Sequence, residues 1–276
     1  MKVVVWNMSF SRSVTNWRTF RPGGAHRCDI ALLNEAKPPP DDLAPFAQSD
    51  IITIGRDDVS HGGKKTREWA SAVFSPHGIT PPSDVWSLPP RETNRRAPLQ
   101  ASRPGTWAAG IAEVPGFGQV TAISIYGLLD ERSDASVHRS LSDVTPILED
   151  LRYNEQLLLG GDLNTLAAAP AGSRTLARDQ SVLDRITGAF GLTDLLRESL
   201  RKREPDRGRL PGCTCESGPD CAHTWTFRSS ITSDVPHQDD YLFASPALAD
   251  RMTNCLALPF SDDSPSDHTP IVADFE

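Results

Sequence analysis

The chain has 276 residues, 36 acidic against 28 basic side chains and a formal net charge of −8. That length can bury a sizeable core, and no composition shift or linker divides it, so one domain over 1–276 is expected. The charge argues against nucleic-acid binding driven by overall electrostatics, although a local basic patch stays open.

No stretch approaches the roughly 20 apolar residues of a membrane span. The first seven residues read as a strand, with no apolar leader and cleavage site. A soluble, cytoplasmic protein with no membrane partner is expected, as a monomer. In chain order, Val3-Val4-Val5-Trp6-Asn7 is a β-branched run ending on an amide. Trp17 and Phe20 are spaced to pack a short helix. Asp29 to Glu35 reads as a second buried strand ending on an acid, and Lys37-Pro38-Pro39-Pro40 leaves the sheet. Ile51 to Gly55 predicts a third strand, Arg56 to Arg67 a mobile loop with Lys64 and Lys65, and Trp69 to Ser75 a half-exposed strand. Pro76 to Pro104 is rich in proline and arginine, including Arg91, Arg95, Arg96 and Arg103. It reads either as a solvated connection or as a phosphate-contacting flap.

Gly110 to Val114 and Gly118 to Tyr126 form a hairpin pattern turning at Pro115-Gly116. Val137, Leu141, Val144, Leu148 and Leu151 fall at helical spacing, predicting an amphipathic helix over 134–153 capped by Ser133. Leu157-Leu158-Leu159-Gly160-Gly161-Asp162-Leu163-Asn164 is an apolar strand, then two glycines that permit a sharp turn. Its acid and amide, two residues apart, can point the same way. Val182, Ile186 and Phe190 predict another helix that exits over 192–196, with 202–212 as a polar connection. Thr224 to Phe227 is a short strand, and Asp239-Asp240 opens the core strand that ends at Ser245. Ser266-Asp267-His268-Thr269-Pro270 precedes a closing strand over 271–275. Strands and helices mixed without regular βαβ alternation predict an α/β (α+β) fold. The expected form is a four-layer α/β/β/α sandwich, two packed mixed sheets flanked by helices.

The strand ends supply Asn7, Glu35, Tyr126, Asp162 with Asn164, Asp240, and Asp267 with His268. In this order and context the chain resembles the endonuclease/exonuclease/phosphatase superfamily, which has the pancreatic-DNase fold. The motifs are Gly161-Asp162-Leu163-Asn164 and Ser266-Asp267-His268-Thr269-Pro270, supported by Asn34-Glu35 and Asp240-Tyr241. The resemblance implies Glu35 as the central metal ligand, with Asn7 and Asp267 close by. Asp162 would orient or deprotonate the attacking water, and Asn164 would hold that water or a phosphate oxygen. His268, steered by Asp240, would donate to a non-bridging oxygen, and Tyr126 would contact the phosphate. Four carboxylates cannot gather as bare anions, and an all-oxygen set suits Mg²⁺ or Mn²⁺. Many nucleases of the family carry an acid where this chain has Ser9, which weakens the case for a second metal.

Cys213-Thr214-Cys215, five intervening residues and Cys221-Ala222-His223 offer three thiolates and an imidazole, a tetrahedral set for structural zinc. A local disulfide and unligated thiols are the competing readings. Cys28 and Cys255 read as ordinary core residues. The expected function is Mg²⁺-dependent phosphodiester hydrolysis, with a nucleic acid as substrate. The alternatives are a phosphatase or phosphodiesterase for a small metabolite or lipid headgroup, and a catalytically silent binding protein.

Overall fold

The computed structural model describes residues 1–49, 52–58, 63–87, 97–128, 136–165, 174–205, 213, 221–228, 237–260 and 265–276. The first half of the chain holds β1 (Lys2–Asn7), α1 (Ser13–Asn16) running into a 3₁₀ turn (Trp17–Phe20), β2 (Ile30–Ala36), β3 (Ala47–Ser49), β4 (Ile52–Asp58) and β5 (Gly63–Phe74). Then come β6 (Trp86–Ser87), β7 (Ala97–Pro98), β8 (Trp107–Val114), β9 (Gly118–Ile125) and α2 (Ser136–Leu148). The second half adds β10 (Leu157–Asp162), α3 (Arg174–Asp184), β11 (Thr193–Asp194), α4 (Leu195–Arg203), β12 (Asp240–Ala244), α5 (Pro246–Ala249), β13 (Met252–Ala257) and β14 (Ile271–Phe275).

Two mixed sheets result. One runs β13-β14-β1-β2-β5-β3, with β4 also on β5; the other runs β11-β12-β10-β9-β8; β6 and β7 pair apart. Alternation along the strands sorts their side chains into layers. Val3, Val5, Ile30 and Leu32 pack with Ala122, Leu158 and Leu242 between the sheets. Val4, Trp6, Ala31 and Leu33 face the other way, onto Trp17, Phe20 and Phe74. On the far side, Ile123, Leu157, Leu159 and Phe243 meet Val137, Leu141 and Val144 of α2. The two-sheet sandwich with flanking helices is therefore the architecture. Among the described residues no helix is long and apolar enough to cross a membrane.

Strand direction places the chemistry. β1 and β2 are parallel, as are β9 and β10, while β14 runs antiparallel to β1 and β12 antiparallel to β10. The ends of the parallel strands and the starts of β12 and β14 thus share one edge.

Several sequence expectations change. Trp69 to Ser75 is buried throughout rather than half-exposed, because β5 is covered on both faces. Most of the expected mobile loop at 56–67 is a β4–β5 hairpin in register from Ile52↔Trp69 to Asp58↔Gly63, with 59–62 outside the described residues. The helix expected to exit over 192–196 instead ends in a π turn at Arg185–Ala189, and α4 follows as a separate helix. Asp194 caps α4 by accepting from Arg197 N at 3.1 Å. α2 stops at Leu148, which leaves Leu151 85% exposed. Thr224 to Phe227 is not a strand: only Phe227 makes isolated bridges, to His237 and His268. Ser133, Arg91, Arg95 and Arg96 lie outside the described residues.

Candidate active site

Asp162 is the hub. At the last position of β10 it is fully enclosed, opposite Asp240 in the β10–β12 ladder. Its Oδ2 accepts from Asn7 Nδ2 at 2.8 Å and lies 3.8 Å from His268 Nε2; its Oδ1 accepts from Asn164 N at 2.8 Å. The other ring nitrogen of His268, Nδ1, donates to Asp240 Oδ2 at 2.7 Å. Burial, with Asp240 adding, raises the Asp162 carboxyl well above the usual range. Burial also opposes the His268 cation, but Asp240 and Asp162 outweigh it and raise the imidazole to about 10. At neutral pH His268 is therefore a buried imidazolium between Asp240 and Asp162.

Glu35 stands on the facing sheet. Its Oε1 accepts from Tyr126 OH at 2.9 Å and its Oε2 from Phe10 N at 3.0 Å. A register shift in the β2–β5 ladder between Leu33 and Ala36 re-aims this strand end, and Glu35 has φ +50°. Ser9 and Asn164 share that left-handed conformation, so three of the four non-glycine residues with positive φ among those described border the site. Burial raises the Tyr126 phenol well above its ordinary value, and the charges of Glu35 and Asp162 add to this. Tyr126 is thus a fixed O–H donor, and its hydroxyl is directed at Glu35. The carboxamide nitrogen of Asn164 lies near enough to ease the phenol's ionisation, yet makes no hydrogen bond of normal geometry. It is a buried donor facing the site.

Asp267 is exposed beside His268, and its charge also favours the imidazolium. Glu35, Asp162, Asp240 and Asp267 form no ion pair with a described lysine or arginine, leaving His268 as their one counter-charge among the described residues. Glu35, Asp267 and Asn7 offer the oxygen donors that a hard divalent cation takes, although among the described residues no three Asp, Glu or His groups of this site converge within 4.8 Å of one another. Cys213 and Cys221 approach His223 Nδ1 to 3.3 and 3.7 Å, while Cys215 lies outside the described residues. Burial lowers the His223 imidazole to about 4.

Four supporting residues escaped the sequence reading. Asn34 Oδ1 accepts from Asp162 N at 2.7 Å while its Nδ2 reaches Ser71 Oγ, Ser124 Oγ and Ile125 O, tying the two sheets together beneath the site. Ser266 Oγ donates to Asn7 O at 2.8 Å and accepts from His268 N at 3.1 Å. Trp6 Nε1 holds the His268 carbonyl, and Phe227 packs on its ring, centroids 4.6 Å apart. The prior signals were Asn34's place beside Glu35 and Ser266's place in the motif with Asp267 and His268.

No protein-family model matches the chain, and no curated protein matches it by sequence. Solved structures do. A 3'-5' exonuclease, NExo, from Neisseria meningitidis aligns over 100% of both chains at 18% identity and TM-score 0.56. An endonuclease/exonuclease/phosphatase protein from Beutenbergia cavernae covers 99% of this chain and 70% of its own, at 17% identity and TM-score 0.59. The catalytic domain of Xenopus laevis APE2 covers 100% and 91%, at 14% identity and TM-score 0.57. The chain has the fold of the endonuclease/exonuclease/phosphatase superfamily.

Proposed function

We propose that this protein is a metal-dependent phosphodiester hydrolase acting on a nucleic acid. The observation that carries the reading is the row Asp240, His268, Asp162, Asn7, linked at 2.7, 3.8 and 2.8 Å and opposed by Glu35. Glu35, Asn7 and Asp267 would hold Mg²⁺ or Mn²⁺, which when bound would neutralise phosphate oxygens and the charge growing on the leaving oxygen. Asp162 is oriented by Asn7 and the Asn164 backbone, so a water on its carboxylate is aimed and gives up its proton there. His268, held as a cation by Asp240, donates to a non-bridging oxygen as charge builds. Asn164 Nδ2 offers a second donor to the phosphoryl group. Tyr126 keeps the Glu35 carboxylate turned into the site.

The nucleic-acid assignment draws on neighbours of the same fold, one being a 3' phosphatase NExo from Neisseria bound to a product DNA hairpin. The net charge of −8 favours instead a small phosphoester, with the same chemistry. A panel of DNA, RNA and small phosphate esters, each with and without Mg²⁺, decides between them. Nucleic-acid cleavage that Glu35→Gln and His268→Ala each abolish, in folded protein, is the expected result. Turnover of small esters alone would move the assignment to a phosphatase, and no hydrolysis of either would reject catalysis.

A further inference from the structure

Away from the acidic site, Cys213, Cys221 and His223 bring two sulfurs and an imidazole nitrogen within 4.8 Å of one another. It is the only such convergence of three His, Cys, Asp or Glu ligand atoms among the described residues. Both cysteines are buried thiols, and with Trp225 they form a small apolar cluster separate from the main core. Sulfur lies 3.3 and 3.7 Å from His223 Nδ1. Around a tetrahedral zinc, with bonds of about 2.3 Å to sulfur and 2.0 Å to nitrogen, that separation is about 3.5 Å. A Cys213–Cys221 disulfide would account for the sulfurs but give the imbalanced third member, His223, no part.

The segment that follows touches both sides of the His268–Asp240 pair. Thr224 N donates to Gln238 Oε1 at 2.9 Å. Thr226 Oγ1 accepts from Asp239 N and Asp240 N, each at 3.0 Å, and Thr226 O accepts from Thr269 N at 2.8 Å. Phe227 lies on the His268 ring, and Arg228 N donates to Asp267 O at 3.0 Å. We propose that Cys213, Cys221 and His223 bind zinc, and that the zinc anchors 221–228 as a brace positioning His268 against Asp240. On binding, the two thiols release their protons to solvent, and the two thiolates balance the dication. The metal site stands without the hydrolytic reading; the positioning role rests on it.

Protein purified reduced and without chelator should contain one zinc per chain. Loaded with Co²⁺ instead, it should show the intense visible bands and sulfur-to-metal charge transfer of a tetrahedral thiolate site. Cys221→Ser and His223→Ala should lose both while keeping the circular dichroism of the wild type. If those variants do not fold, the wild-type cobalt spectrum decides alone. A wild type that takes up no zinc and gives only a weak octahedral cobalt spectrum overturns the site, as does a native Cys213–Cys221 disulfide by mass. Zinc stripped by mild chelation, with Mg²⁺ restored, should lower kcat and move the alkaline limb of the pH profile to lower pH. An unchanged rate and profile would overturn the positioning role. Absence of hydrolysis in zinc-loaded protein would reject the hydrolase reading and leave the metal analysis intact.

Discussion

Asp240 decides how far His268 remains a cation at working pH. Its carboxylate raises the imidazole to about 10 despite burial. A raised folded-state value means that the pair stabilises the fold fully below pH about 6.5, the unfolded value, and ceases to do so as pH climbs through 10. In the proposed mechanism the same sign governs catalysis, because the donor is lost when His268 deprotonates. Asp240→Asn removes the charge and keeps the shape, so the alkaline limb of the rate profile should move to lower pH. Above the shifted limb, where the variant's His268 has lost its proton while that of the wild type has not, the rate should fall about 10²- to 10⁴-fold relative to the wild type at the same pH, the span of a lost proton donor. An alkaline limb left in place would mean that His268 is not the group titrating. The residue types of this site were legible in the sequence because each ends or begins a strand. Asn34 was not, since its role exists only once two sheets distant in sequence are stacked.

At the scale of elements, the β10 exit depends on Gly161. Its φ is +139°, and an added Cβ would run into the Ile125 carbonyl oxygen and sit 2.6 Å from Asn34 Oδ1. Gly161→Ala should therefore destabilise by about 2–3 kcal/mol or more from backbone strain alone, with activity falling as Asp162 shifts. Gly188, in the π turn after α3, has nothing within 4 Å of the same added atom. Gly188→Ala should be neutral or stabilise by up to about 1 kcal/mol. Urea denaturation of the two variants checks the contrast, and similar midpoints would refute it. The sharp turn expected at Gly160-Gly161 is not there: both glycines lie inside β10, paired with Leu242 and Tyr241, and Gly161 is required by its φ and by the close approach of Ile125 and Asn34. The β4–β5 hairpin was not readable, because Lys64, Lys65, Thr66, Arg67 and Glu68 carry the composition of a loop. α4 was hidden for a similar reason: most of its nine residues are polar, and its few buried side chains face β12 and β13.

At the scale of the whole molecule, the first sheet draws neighbouring strands from opposite ends of the chain. β14 pairs with β1 from Lys2↔Asp274 to Val5↔Ile271, and Met1 N donates to Phe275 O at 2.8 Å. The layer order followed from alternation and strand count, but this closure could not be seen locally, because no short window contains both partners. Asn7 and His268 owe their meeting to it. A chain ending at residue 265 should be inactive at every pH, and supplying the 266–276 peptide in trans should restore cleavage if the remaining layers hold their shape. Activity in the truncated chain without the peptide would contradict the arrangement. During translation, residues 1–265 leave the ribosome before His268 does. On the proposed reading, a growing chain cannot hydrolyse a phosphoester until β14 has joined β1, and its activity arrives in one step.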